Sequence, residues 1–274
     1  MIKNWLVRGD THGNFTWMTN GCLGNYKPEE TAIIILGDAG FNFYLNKTDN
    51  KLKAEVNARG YRFYCVRGNH EARPQDIYGM AYGYDPEIGG MFYMEKEYPN
   101  IRYFVDYGIY TINGYKCGVI GGAYSVDKWY RLARAGVNDK WDYNNPKITG
   151  WFPNEQLSEE EMKACTTLFN GQNFDFIFSH TCPYSWRPVD LFLKGVDQST
   201  VDNTMELWMD KLKDQFQWYV WVWGHYHADR LERPHAEMYF DDIEDINDIV
   251  ARWKCYDENG ELDWYLIKSP NFDF

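Results

Sequence analysis

The stretch Ala32-Ile33-Ile34-Ile35-Leu36-Gly37-Asp38 decides the fold, because five apolar residues run there directly into glycine and aspartate. A short continuous apolar run of this kind is typical of a strand that is buried on both faces. Similar runs recur along most of the chain, and nearly all lead into small residues followed by polar ones. They occupy residues 5–7, 61–66, 117–120, 174–178 and 218–223.

Helical patterns lie between these predicted strands. Residues 48–58 carry charges at helical spacing. Ser158 precedes three glutamates in a capping-box pattern, which predicts a helix that runs to about Phe169. Residues 202–216 alternate apolar and charged positions with the helical period. Strands that alternate with helices indicate an α/β fold.

The polar residues at the strand ends are regularly spaced. Asp38 follows Asp10 by 28 residues and Asn69 follows Asp38 by 31, so each interval has about the length of a strand-helix-strand unit. Ligands of open α/β sheets bind beyond the carboxyl ends of the strands. We therefore expect the functional site among these polar residues.

The composition is that of an ordinary globular protein with an acidic balance. Of the 274 residues, 45% are hydrophobic and 25% are charged, and the net charge is −12. A general nucleic-acid binder relies on a basic surface, which this balance does not readily supply. No apolar run approaches the roughly 20 residues of a membrane span, so no membrane partner is expected. Aromatic residues reach 18%, which suggests an aromatic-lined cleft or a subunit interface and leaves an oligomer open.

The N-terminus and the cysteines predict a cytoplasmic protein. Charged Arg8 and Asp10 come too soon after Met1 for a signal peptide. The six cysteines are scattered and form no Cys-x-x-Cys motif, which is typical of reduced thiols in the core of a cytosolic protein.

No internal repeat or linker divides the sequence, so residues 1–274 are expected to form a single domain. Residues 124–150 are aromatic and basic in patches and are predicted to form a long loop over the site. The acidic residues that begin near 237 predict a C-terminal extension over 237–274, with a hairpin around Asn259-Gly260.

The placement of the histidines points to a binding site rather than to packing. Five of the six follow directly on an apolar run, beside glycine, aspartate or asparagine. Histidines scattered for core packing would not be placed at strand ends so consistently. The five are His12, His70, His180, His225 and His227.

Seven side chains at the strand ends are of types that bind metals. Asp-x-His and His-x-His motifs put both members on one face of an extended segment, since side chains repeat every second residue. Seven ligands are too many for one ion but suit two, and oxygen with imidazole but without cysteine favours Mn, Fe, Zn or Ni. Two such ions are a recurring device for phosphoester cleavage. The candidates are Asp10, His12, Asp38, Asn69, His180, His225 and His227.

The motifs Asp-x-His, Gly-Asp, Gly-Asn-His-Glu, a histidine after an apolar strand, and Gly-His-x-His occur in this order between Gly9 and His227. This ordered series of motifs resembles that of the calcineurin-like metallophosphoesterases. The overall similarity of the sequence, which includes residues 121–127, points to bacterial or phage members of that family. The resemblance implies a four-layer α/β/β/α sandwich with a dinuclear metal site at the sheet edge.

The resemblance also implies a role for each motif residue. Asp38 bridges the two ions, and a hydroxide between them attacks phosphorus in line. His70 is not a ligand but the acid that protonates the leaving oxygen. The first ion is held by Asp10, His12 and His227, and the second by Asn69, His180 and His225.

The serine/threonine protein phosphatase branch is matched only in part. Gly68-Asn69-His70-Glu71, followed by Ile77-Tyr78-Gly79, is similar to that branch. However, Phe41 stands where the branch has the aspartate that supports the catalytic histidine. Asn42 stands where it has an arginine that grips phosphate. A protein phosphatase is therefore a less favoured interpretation.

Five features outside the motifs have weaker assignments. Arg73 could hold a substrate phosphate bidentately or pair with an acid at the surface. Tyr124 could line the pocket or simply pack. Cys182 has no separate histidine to activate it and is expected to be a packed thiol. His235 is expected at the surface, and the acidic run 241–248 is expected to be a solvated face or a partner surface.

The sequence thus predicts a two-metal phosphoesterase that acts on a phosphomonoester or a small phosphodiester, with His70 as general acid. A nuclease of the same superfamily is the enzymatic alternative, which the net charge of −12 disfavours unless a local basic groove exists. A non-catalytic binding module that retains the fold is less favoured, because decay of activity usually removes ligands or the acid, and all eight positions are filled.

Overall fold

The computed structural model describes residues 2–136, 144–195 and 198–256. They form two β-sheets with helices against them. The hairpin predicted near Asn259 lies outside the described residues, as do positions 137–143 of the predicted loop.

The first sheet has seven strands within the described ranges, and β1, β2, β3 and β6 run parallel to one another. All five residues of β2 are buried, which confirms the prediction from the stretch that begins at Ala32. In spatial order the strands are β13 (Ile243–Asp245), β1 (Asn4–Arg8), β2 (Thr31–Ile35), β3 (Arg62–Cys65), β6 (Ile101–Phe104), β5 (Gly90–Glu95) and β4 (Met80–Asp85).

The second sheet has six described strands, and its centre is also parallel, since β9 pairs in parallel with both β8 and β10. The apolar runs 117–120, 174–178 and 218–223 lie in these three strands, as predicted. In spatial order the strands are β11 (Arg230–Arg233), β12 (Ala236–Met238), β10 (Gln217–Trp223), β9 (Asn173–Ser179), β8 (Tyr115–Ile120) and β7 (Tyr107–Ile112).

The predicted helices are present, and local sequence explains where they begin. The side chain of Asn46 accepts a hydrogen bond from the backbone of Thr48 at the first helix, and Ser158 forms the predicted capping box with Glu161. The helix predicted over 202–216 is shorter than expected. The helices are α1 (Lys47–Asn57), α2 (Lys128–Arg134), α3 (Pro146–Thr149), α4 (Glu159–Phe169), α5 (Thr204–Leu212) and α6 (Ile246–Lys254).

Three expectations are corrected. The connection from β1 to β2 contains two short 3-10 turns, Thr16–Thr19 and Pro28–Glu30, rather than an α-helix, because glycine-rich turn sequence at 20–25 interrupts it. The segment 124–150 is not wholly a loop, since it contains α2 and α3. The acidic residues after 237 are not an appended extension, because β13 pairs with β1 inside the first sheet.

The acidic run 241–248 is likewise only partly a solvated face. Asp241 and Asp242 are exposed, but the carboxylate of Glu244 accepts hydrogen bonds from Arg252 at 2.7 and 2.8 Å and from the hydroxyl of Tyr239 at 2.7 Å. The guanidinium of Arg252 therefore neutralises part of the negative charge of this acidic run.

Three apolar layers hold the sandwich together. Successive residues of a strand face opposite sides of a sheet, so Val7 and Ile34 face the second sheet while Leu6 and Ile33 face outward. The central layer joins the inner faces of the two sheets. The outer layers pack beneath α1 on one side and beneath α4 and α5 on the other. This is the predicted α/β/β/α order.

Phe41 belongs to the outer layer of the first sheet. It is fully buried, its ring lies 4.9 Å from that of Phe15 in a stacked arrangement, and it meets Phe63 edge-on at 6.2 Å. The position that the protein phosphatase branch uses for an aspartate is here part of an aromatic cluster.

Replacement of Phe41 tests this packing. Phe41→Asp should lower the free energy of unfolding by at least about 4 kcal/mol, because it removes a buried ring and buries a carboxylate. Phe41→Leu, which keeps an apolar side chain, should cost about 1 kcal/mol. Denaturant unfolding followed by circular dichroism measures both. Equal stability of the two variants would show that position 41 tolerates charge.

Candidate metal centre

The loops after five parallel strands bring the predicted ligands together at one edge of the sandwich. In the first sheet these loops follow β1, β2 and β3, and in the second they follow β9 and β10. Because the carboxyl ends of the parallel strands in both sheets meet at this edge, residues far apart in sequence become neighbours. The side chains brought there are Asp10, His12, Asp38, Asn69, His180, His225 and His227.

Asp10, His12 and His227 form one group that could hold a metal ion. Oδ2 of Asp10 lies 3.3 Å from Nε2 of His227 and 3.7 Å from Nε2 of His12. The two imidazole nitrogens lie 2.9 Å apart. Asp10 is buried whereas both histidines are partly open to solvent, so this group faces the substrate side.

Asp10, Asp38 and His180 form a second group, which is fully buried. Nδ1 of His180 lies 2.8 Å from the backbone carbonyl of Leu36, so the proton belongs on Nδ1 and the lone pair of Nε2 faces the centre. That Nε2 atom is 3.6 Å from Oδ2 of Asp38 and 2.8 Å from Oδ1 of Asn69. Two lone-pair atoms at this separation suit a cation between them.

Backbone hydrogen bonds fix one oxygen of each central carboxylate. Oδ1 of Asp10 accepts the backbone N–H of His225 at 2.8 Å, and Oδ1 of Asp38 accepts that of His70 at 2.8 Å. Both contacts need a glycine close to the donor: Gly224 directly precedes His225, and Gly68 lies two residues before His70. A Cβ atom would come 2.3 Å from Oδ1 of Asp10 at position 224, and 1.9 Å from Oδ1 of Asp38 at position 68.

Four of the seven predicted ligands have a left-handed backbone, which non-glycine residues seldom adopt. Their φ angles are 45° for His12, 48° for Asp38, 70° for His225 and 52° for His227. Strained backbone of this kind persists only where the surrounding structure dictates it, and it concentrates at functional sites.

The electrostatics of the site favour metal binding. Burial, together with the neighbouring His180, lowers the pKa of His225 to about 3, so its imidazole is neutral and can bind a metal. Burial and the charge of Asp10 raise the pKa of Asp38 well above its usual value. A divalent ion would relieve the repulsion between these carboxylates. The donor set of carboxylates, imidazoles and one amide therefore fits divalent metals.

The sequence motifs assign no role to two residues that position the predicted ligands, Ser125 and Glu71. The amide nitrogen of Asn69 donates to Oγ of Ser125 at 2.8 Å, which turns Oδ1 toward His180. Glu71 is buried, and its Oε1 accepts the backbone N–H groups of Gly68 at 3.1 Å and Ala39 at 3.2 Å. This carboxylate therefore ties together the ligand loops after β2 and β3.

His70 lies at the border of the ligand cluster. Its ring is 5.9 Å from that of His12 and 6.4 Å from that of Phe43. Its Nδ1 atom is buried and has no hydrogen-bond partner among the described residues. Burial first, and then the charge of Arg131, lower the pKa of His70 to about 2.

Arg131 is a further functional candidate that the motifs do not reveal. Its only signal in the sequence is the basic character of the predicted loop 124–150. It lies in α2, where Asp127 accepts a hydrogen bond from Nε at 2.7 Å and the carbonyl of Gly150 accepts one from Nη1 at 3.1 Å. Its guanidinium lies 5.5 Å from the ring centre of Phe43. α2 thus places a cation against Phe43, and its charge lowers the pKa of His70.

The structure engages Arg73 and Tyr124 elsewhere. Arg73 is buried and donates to the carboxylate of Glu161 and to the carbonyls of Asn154 and Gln156, with Asp106 at 3.1 Å. These acceptors account for the donors of the guanidinium, which leaves none for a substrate phosphate.

The hydroxyl of Tyr124 donates to the carbonyl of Thr200 at 3.2 Å. Cys182 is fully buried, as expected of a packed thiol. His235 is not a free surface residue, because its ring lies half-buried between Tyr219 and Trp253 at 4.8 and 4.9 Å.

The family model of the calcineurin-like phosphoesterases matches residues 5–229. The chain belongs to this family and is a metal-dependent hydrolase of phosphate esters, in agreement with the motifs. No curated protein matches the sequence. No helix of the described ranges is long and apolar enough to cross a membrane.

Two solved structures match the chain over most of its length at low sequence identity. One is the phosphopantetheinyl hydrolase of Mycobacterium tuberculosis, with 12% identity over 99% of this chain and 98% of that chain and a TM-score of 0.42. Another crystal structure has 13% identity over 90% of this chain and 96% of that chain, also with a TM-score of 0.42. Likeness at this level says nothing about the substrate of this chain.

The contact between Ser125 and Asn69 can be tested by substitution. Ser125→Ala should weaken binding of Mn²⁺ by about tenfold or more, because the amide of Asn69 loses the partner that orients it. Ser125→Thr retains the hydroxyl and serves as the control. Isothermal calorimetry gives both affinities, and circular dichroism verifies the fold. Unchanged affinity in the alanine variant would contradict the role given to Ser125.

Proposed function

We propose that the protein uses two divalent ions to hydrolyse a phosphomonoester or a small phosphodiester. The observation that carries this proposal is the meeting of two potential ligand groups at Asp10, with Asn69 and His225 beside them. Membership of the calcineurin-like phosphoesterases supports the class of reaction. Mn, Fe, Zn and Ni all suit the donor set.

We assign the first ion to Asp10, His12 and His227, and the second to Asn69, His180 and His225. Asp38 is the proposed bridge. Its Oδ1 is held by the backbone of His70, and its Oδ2 lies 3.6 Å from Nε2 of His180. Asp10 belongs to both groups in the structure, so it is the competing candidate for the shared carboxylate.

When bound, the two ions would supply a water-derived nucleophile at neutral pH and offset the charge of the phosphate. The chain itself would orient the ester. Arg131 would contact a non-bridging phosphate oxygen, since a guanidinium suits a phosphate group and this one lies beside His70. Arg131 would then bind the phosphate in place of the arginine that the protein phosphatase branch has at the position of Asn42.

His70 is the proposed proton donor to the leaving oxygen. Its pKa is lowered by burial and by Arg131, and a phosphate dianion bound against Arg131 would offset part of that effect. No carboxylate supports its Nδ1 atom among the described residues, and Phe41 packs in the apolar layer instead. Substrate binding, rather than a fixed aspartate, would then favour the protonated form.

A serine/threonine protein phosphatase is not the function that the site favours. Asn42, which stands in place of the arginine of that branch, is buried and accepts a hydrogen bond from Nζ of Lys53 at 3.1 Å. The same Nζ atom also donates to Oε2 of Glu95 at 2.6 Å, so the side chain of Asn42 takes part in a structural contact with Lys53. Small phosphate esters are therefore the proposed substrates.

Metal content tests the first part of the proposal. Reconstituted protein should contain two ions per chain, and Asp38→Asn should weaken both sites because each loses an anionic ligand. Asp248→Asn changes an exposed carboxylate on α6 and is the matched control. Elemental analysis near one ion per chain, unaltered by Asp38→Asn, would refute the two-ion assignment.

The role of His70 is tested with leaving groups of different basicity. His70→Asn should retain both metals but slow hydrolysis of phenyl phosphate by roughly 10²–10⁴-fold, the range typical of a lost general acid. The loss should be smaller for 4-nitrophenyl phosphate, whose leaving group needs little protonation. Metal loss in the variant would identify His70 as a ligand. An equal penalty for both esters would assign it to phosphate binding.

A further inference from the structure

A pocket of about 410 Å³ opens beside the metal centre, between α2, α3 and the loop after β2. Its volume lies within the range of pockets that bind small organic ligands. Six of its residues combine aromatic rings with positive charge. They are Phe43, Tyr44, Tyr130, Arg131, Arg134 and Lys147.

Two residues that line the pocket, Phe43 and Arg131, relate it to the proposed reaction site. The ring of Phe43 lies 6.4 Å from that of His70, and the guanidinium of Arg131 lies 5.5 Å from the centre of the Phe43 ring. A substrate whose reacting phosphate lies beside His70 and Arg131 would extend its remaining part into this pocket.

Two further cations of the pocket, Arg134 and Lys147, are exposed to solvent. Asp127 pairs with Arg131 at 2.7 Å. Within the described ranges, neither Arg134 nor Lys147 makes a side-chain hydrogen bond or an ion pair with an acid. Arg134 lies about one helical turn, about 5 Å, along α2 from Arg131. In a chain of net charge −12, Arg134 and Lys147 are thus two cations of one pocket that have no acidic partner among the described residues.

We infer that this pocket binds a second phosphate group, so that the preferred substrates are small esters that carry a phosphate in addition to the one hydrolysed. The inference rests on the proposed function, whose substrate class it narrows. Arg134 and Lys147 would bind the second phosphate. Tyr44 and Tyr130, with 53% and 65% of their surfaces exposed, would cover the sugar or ring that joins the two phosphates.

A small bisphosphate fits this pocket better than a nucleic acid. The cations belong to one bounded pocket, whereas a strand would need a basic groove that continues along the surface. The net charge of −12 acts against such a polyanion outside the pocket.

Matched substrates test the inference. Adenosine 5′-phosphate is compared with adenosine 3′,5′-bisphosphate, and thymidine 5′-(4-nitrophenyl phosphate) with the same diester that carries a 3′-phosphate. With Mn²⁺ present, kcat/KM should be about tenfold higher for the substrate with the second phosphate in at least one pair. 4-Nitrophenyl phosphate reports the basic reaction independently.

Charge-removing variants locate the effect. In Arg134→Gln/Lys147→Gln the ratio of kcat/KM within the pair should fall from about ten to about one. Lys211→Gln removes an exposed cation from α5, outside the pocket, and should preserve the ratio. Calorimetry of adenosine 3′,5′-bisphosphate in EDTA gives a readout that does not depend on turnover. Its affinity should fall about tenfold in the double variant only.

The outcomes separate the two proposals. Turnover of 4-nitrophenyl phosphate without any preference for a second phosphate would overturn the inference and leave the proposed function intact. Binding that depends on Arg134 and Lys147 without turnover of any ester would support the pocket and refute the function. A preference shown only by a single-stranded oligonucleotide, and not by the bisphosphates, would overturn the inference in favour of strand binding.

Discussion

Two buried carboxylates, Asp10 and Asp38, are the constraint on which the rest of the site depends. Each would repel the other in a dry interior, and burial, followed by the charge of Asp10, raises the pKa of Asp38. The protein holds them in place with backbone N–H groups from His225 and His70 and with the imidazole of His180. Such an arrangement is stable in its charged form when cations complete it.

The sandwich architecture supplies the rigidity that this arrangement requires. Asp10 comes from the first sheet and the backbone group that fixes it comes from the second, so the site exists only where the two sheets meet. The left-handed backbone at His12, Asp38, His225 and His227 costs free energy at each position. The three apolar layers offset that cost, because the strands that carry these loops are almost fully buried.

The aromatic residues serve two purposes that composition alone does not separate. Most of the rings near the site pack in the apolar layers, as Phe41 does against Phe15 and Phe63. Others, such as Tyr44 and Tyr130, are exposed at the mouth of the pocket beside α2. Phe43 connects the two sets, since it contacts both His70 and the guanidinium of Arg131. The composition suggested an aromatic-lined cleft or a subunit interface, and this pocket is a cleft with three such rings in its lining.

The sequence by itself predicted the central strands, the family and the candidate ligand residues, because the signals for all three are local. An apolar run such as 32–36 forms a buried strand wherever it pairs, and the residue types at Asp10 or His225 can be read directly from the motif. The capping box at Ser158 is equally local, and the helix begins there.

Only the tertiary structure decided which side chains support the ligands. Ser125 and Glu71 contact residues of other loops, and although Glu71 belongs to the Gly-Asn-His-Glu motif, the motif does not show which groups its carboxylate binds. Arg73 stands next to a catalytic motif but is engaged by Glu161, 88 residues away. Arg131 lies in a segment without a motif, and α2 brings it to His70. Partners of this kind are chosen by packing in three dimensions, because electrostatic and hydrogen-bonding contacts depend on distance in space rather than along the chain.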